Sequence, residues 1–133
     1  MTNILEKIIQ DKIENMKLTK KKYSLNTLEK NIKDFNFFFD FKESIQKNKG
    51  ISLITEIKKA SPSAGIIIKN YDPIEIAKIY NDNNATCLSI LTEENFFLGN
   101  LIHVSKVKEK IRLPILCKDF FIDKFQVHLA KSY

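Results

Sequence analysis

Three short apolar runs, opening near residues 51, 86 and 115, each lead into a stretch with helical periodicity or a helix-start signal. This recurrence restricts the possible folds more than any other feature. The starts are 35 and 29 residues apart, room for one strand, one crossover helix and two short loops. Strands that alternate with helices at this interval make right-handed βαβ units and a parallel sheet, so the fold class is α/β. Two architectures satisfy the pattern, an open doubly wound sheet and a (β/α)₈ barrel, and periodicity alone does not choose between them.

Local signals sharpen the three units. Ile51 to Ile57 reads as a buried strand that ends in polar chemistry. Asp72-Pro73-Ile74-Glu75 opens a helix with an N-cap, a proline in the first turn and an acid at the third position. Thr86 to Leu91 is the second strand, and Asn100 to Lys110 the helix after it, with Leu101, Val104 and Val107 as its apolar stripe. Pro114 introduces the third strand, Ile115 to Lys118, and Asp123 with Gln126 has the spacing to cap a third helix.

Residues 1–49 have a different character and read as a helical N-terminal extension to residues 50–133. Asn3 and Glu6 have the form of a capping box, and Leu5, Ile8, Ile9, Ile13 and Met16 share one face of a helix over residues 4–17. Lys17 to Lys22 reads as a solvated linker, and a second helix covers Leu25 to Asp34. Phe35, Phe37, Phe38, Phe39 and Phe41 fall within seven residues. Base stacking is one use for such a cluster, but a hydrophobic plug seating the extension is the expected one.

Composition narrows the function classes. The formal net charge is +6, which suits nucleic acid, an anionic membrane surface or a phosphorylated small molecule. Lysine supplies 21 of the 22 basic residues and Arg112 is the lone arginine, a balance that disfavours base-reading proteins built on bidentate arginine. No apolar run reaches the roughly 18 residues of a membrane span, and the first residues lack signal-peptide form, so the expected compartment is the cytoplasm. Cys87 and Cys117 lie in apolar runs, read as buried free thiols, and no Cys or His has metal-ligand spacing.

The charged residues that remain gather where an α/β fold places its ligands, at the carboxyl ends of the strands. Glu56 and Lys58 stand at the first end, Ser89 and the Thr92-Glu93-Glu94 loop at the second, Lys118 and Asp119 at the third. Glu56 and Lys58 are two residues apart and so share a strand face. An ordinary ion pair would explain those two alone, and snorkelling would explain Lys118. Three convergent strand ends point instead to a site for an anionic substrate.

These segments also carry a family resemblance. Glu56-Ile57-Lys58-Lys59-Ala60-Ser61-Pro62-Ser63-Ala64-Gly65, Ser89-Ile90-Leu91-Thr92-Glu93-Glu94-Asn95-Phe96-Phe97-Leu98-Gly99 and Leu113-Pro114-Ile115-Leu116-Cys117-Lys118-Asp119-Phe120 resemble, in order, the first three strand motifs of indole-3-glycerol phosphate synthases. The resemblance implies a (β/α)₈ barrel of roughly 250 residues, of which this chain holds the N-terminal extension and the first three βα units. It implies conversion of 1-(2-carboxyphenylamino)-1-deoxyribulose 5-phosphate to indole-3-glycerol phosphate with loss of carbon dioxide and water, using no metal or organic cofactor.

By the same resemblance Lys118 is the general acid, Lys58 holds substrate anions and assists dehydration, and Glu56 positions these groups. Ser61 and Ser63 help hold the substrate from the first loop, and Phe97 packs on its aromatic ring. Ala64 stands where the family usually has Lys, and Phe96 where it has Tyr. The family's base carboxylate and main phosphate loops belong to later strands. The expectation is therefore an N-terminal piece, inactive alone, whose partners are a phosphorylated small molecule and a C-terminal half or fused tryptophan-pathway domain. A half-barrel with a binding or structural role is the alternative.

Overall fold

A computed structural model describes residues 3–35 and 37–133. Six α-helices and five β-strands occur among them: α1 (Ile4–Lys22), α2 (Leu25–Lys33), α3 (Phe41–Lys47), β1 (Ile54–Ile57), β2 (Ala60–Ser61), β3 (Gly65–Ile66), α4 (Pro73–Asp82), β4 (Cys87–Leu91), α5 (Leu101–Lys108), β5 (Ile115–Lys118) and α6 (Lys124–Lys131). The described residues pack as two compact units, one of residues 3–35 with 120–133 and one of residues 37–119. This grouping differs from the order-based division at residue 50, because α6 packs against α2.

In the first unit, α1 begins at a capping box between Asn3 and Glu6 and runs on through Lys22. Lys17 to Lys22 is thus helix, which corrects the linker reading. Lysines 20, 21 and 22 fill the last turn, where positive charge suits the exposed carbonyls. Lys20 is further held by a salt bridge to Asp123, the N-cap of α6. Asp123 and Gln126 form the second capping box, as the spacing foretold. Ile8, Met16, Leu28, Phe125 and Leu129 are the unit's buried apolar residues.

The second unit is built on a parallel sheet in the order β1-β4-β5. Ile57, Leu88 and Ile90 turn to the face covered by α4 and α5, where they meet Ala77, Val104 and Val107 in one buried cluster. The strand partners Glu56, Ser89 and Leu116 form a row of the opposite parity, and Leu91 pairs with Lys118 one layer further. One side of the sheet is thus a packed core, and the other carries Glu56, Ser89 and Lys118.

Other expectations change in detail. Ile51 is 95% exposed and lies outside β1, which is confined to residues 54–57. In the phenylalanine cluster, Phe37 and Phe38 are 66% and 69% exposed, and Phe37 stacks edge-on with Phe39 at 4.9 Å between centroids. Residues 37–40 lead into α3, a helix that periodicity did not reveal, capped by Asp40. The segment after β1 folds back as the β2–β3 hairpin, turning through Gly65 at φ +64°. Cys87 is wholly buried but Cys117 only partly, and both are free thiols.

Candidate active site at the strand ends

The site is assembled by β1, β4 and β5 of the second unit. Glu56 is on β1 with its side chain 30% exposed, and two lysines converge on it. Lys58 Nζ lies 2.7 Å from Oε1, and Lys118 Nζ, from the end of β5, donates to Oε2 at 2.6 Å. Both carboxylate oxygens are therefore engaged by cations. Burial by itself would raise the Glu56 pKa, but the hydrogen bonds and charges of Lys118 and Lys58 outweigh it and hold the carboxyl below its ordinary value.

The backbone of this cluster is fixed from behind. Tyr80, in the last part of α4, donates its hydroxyl to the Glu56 carbonyl at 3.0 Å. At the end of β4, the Thr92 N–H donates to the Lys118 carbonyl at 3.0 Å, and the Thr92 hydroxyl lies 3.1 Å from an Asp119 carboxylate oxygen. Periodicity had assigned Tyr80 only to the helix. Its tie to Glu56 depends on the tilt of α4 over the sheet, for which no local signal exists.

The first loop places Ser61 and Ser63 together, their hydroxyl oxygens 3.4 Å apart, and Ser61 Oγ accepts from the Ala64 N–H at 3.2 Å. The loop closes where the Lys59 carbonyl accepts from Ile67 and Ile68. Ser63 is exposed and Ser61 half-buried, and no hydrogen bond among the described residues links either to the Glu56 cluster.

The Thr92-Glu93-Glu94 loop after β4 turns one of its acids inward. Glu93 is 1% exposed, and its carboxylate accepts backbone N–H groups of Asn95, Phe96 and Phe97 at 3.1, 2.7 and 2.9 Å. Its carbonyl accepts from Gly99 at 2.7 Å, so the loop is tied at both ends. Phe97 is half-buried on this closed loop. Among the described residues no group of three or more His, Cys, Asp or Glu could hold a metal ion, and no helix is long and apolar enough to cross a membrane.

The family model for indole-3-glycerol phosphate synthase matches residues 5–133. The chain belongs to the indole-3-glycerol phosphate synthase family. Among similar proteins, a tryptophan biosynthesis protein TrpCF of Buchnera aphidicola subsp. Diuraphis noxia is 48% identical over 132 residues, covering 98% of this chain and 28% of that protein. Indole-3-glycerol phosphate synthases of Trichodesmium erythraeum and Legionella pneumophila (strain Lens) are 39% and 42% identical, covering 98% and 96% of the chain but 44% and 49% of their own lengths. This member of the synthase family thus spans half or less of these relatives. The Glu56-Lys58-Lys118 cluster lies inside the matched region.

Proposed function

We propose that residues 1–49 form the helical extension, and residues 50–133 the first three βα units, of a (β/α)₈ indole-3-glycerol phosphate synthase. Sequential strand order with α4 and α5 on one face supports the barrel over a doubly wound sheet, in which helices cover both faces. The whole enzyme would act in the cytoplasm on a phosphorylated small molecule, not on nucleic acid or a membrane. The TrpCF relative supports a further tryptophan-pathway domain as a partner.

The observation that carries the reading is the carboxylate of Glu56 held between two ammonium groups from different strand ends. In ring closure the aromatic carbon of 1-(2-carboxyphenylamino)-1-deoxyribulose 5-phosphate attacks the ribulose carbonyl, and electron density moves to the carbonyl oxygen. A donor must deliver a proton there. Lys118, the more exposed lysine and oriented by Glu56, is that donor. Carbon dioxide then leaves, and loss of the new hydroxyl as water completes the pyrrole ring. Lys58 neutralises substrate anions and assists the dehydration. Ser61 and Ser63 hold the substrate from the first loop, and Phe97 walls its aromatic ring.

The test joins residues 1–133 to the C-terminal remainder of the Legionella synthase and follows indole fluorescence after substrate is added. The expected result is turnover by the chimera, lost on Glu56→Gln combined with Lys118→Met. A folded, inactive chimera would leave a binding or structural role for this half.

A further inference from the structure

We propose that Glu93 is a positioning residue for the aromatic part of the substrate, acting through the backbone of Phe97; this rests on the reading of the site just given. A buried carboxylate is costly unless its oxygens are satisfied. Glu93 meets that cost with three consecutive N–H groups of its own loop, ending at Phe97 itself. Leu98 follows in the left-handed region at φ +53°, a conformation that a residue with a Cβ adopts only when its surroundings impose it. Gly99 then returns to the Glu93 carbonyl, and a Cβ there would lie 2.2 Å from the Leu91 carbonyl oxygen.

The loop is therefore held by one carboxylate, one strained residue and one close backbone approach, all next to β4. That strand lies between the two that bear Glu56 and Lys118. Holding Phe97 before substrate arrives removes the ordering cost of forming an aromatic wall on binding. Selectivity for an aryl-bearing sugar phosphate over the bare sugar phosphate would thus depend on Glu93, a residue that never touches the ligand.

The experiment compares binding of 1-(2-carboxyphenylamino)-1-deoxyribulose 5-phosphate and of ribulose 5-phosphate to the chimera, made inert by Lys118→Met, and to the same protein with Glu93→Gln, with Phe97→Leu and with both. Titration calorimetry reads both ligands directly. Glu93→Gln keeps the side-chain volume but turns an amide donor toward donors that needed an acceptor.

Glu93→Gln should weaken the aryl ligand about two- to tenfold, the value of one positioned aromatic contact, and leave ribulose 5-phosphate unchanged. The double variant should bind no worse than Phe97→Leu. Equal weakening of both ligands, additive losses in the double variant, or an unchanged aryl affinity would each overturn the role of Glu93. A chimera with Glu93 and Phe97 intact that binds neither ligand would overturn the reading of the site, and this proposal with it.

Discussion

Lys118 hydrogen-bonds Glu56 at 2.6 Å although β4 lies between the strands that carry them. Neighbouring strands are about 4.8 Å apart, so the reach across two intervals is roughly 10 Å and uses the full length of a lysine. Ser89 is the β4 partner of Glu56 in register and shares its face of the sheet, so a small side chain stands beside the carboxylate. Lys118 itself is in register with Leu91, so it reaches Glu56 on a diagonal across β4.

Ser89→Leu should crowd the Glu56 carboxylate from β4 and separate Lys118 from it while leaving the adjacent Lys58 contact in place. The readout is the Glu56 carboxyl titration followed by carbon NMR. Its midpoint should rise in Ser89→Leu and stay put in Ser89→Ala. An unchanged midpoint in the leucine variant would show that Lys118 reaches Glu56 by another route.

The same titration tests the charge balance at Glu56. In the folded chain its midpoint lies below the ordinary value of 4.5. A lowered carboxylate pKa means that the cluster's contribution to stability is full above 4.5 and is lost as pH falls through the folded value. With Lys58 and Lys118 both replaced by Met, burial is left as the dominant influence, and the midpoint should move above 4.5. Glu56→Gln should flatten the acid limb of the stability–pH curve.

In the chimera, Lys118→Ala should lower kcat by about 10²–10⁴-fold with little change in KM, the mark of a lost general acid. Lys58→Ala should lower kcat and also raise KM, because its charge meets the substrate before reaction. A double-mutant cycle between Glu56 and Lys58 should be non-additive. Near-normal turnover in Lys118→Ala would remove that residue from the chemistry.

Gly99→Ala should destabilise the second unit, because the added methyl would stand 2.2 Å from the Leu91 carbonyl oxygen and 2.9 Å from Thr92 Cα, both backbone atoms. Overpacking of this kind costs about 1–3 kcal/mol. Urea unfolding should show a lower midpoint with an unchanged slope. Equal midpoints would mean that the loop yields without cost.

The chain's pattern determined the α/β alternation, the helix starts at Asn3, Asp72 and Asp123, and the charged residues at three strand ends. These depend on neighbours a few residues apart, through side-chain parity, capping hydrogen bonds and apolar periodicity, so they are legible in one dimension. Only the tertiary structure decided that Lys118 crosses β4 to Glu56, that Tyr80 braces the Glu56 carbonyl, and that Glu93 turns into its own loop. Each of these follows from sheet register, helix placement or the path of a closed loop.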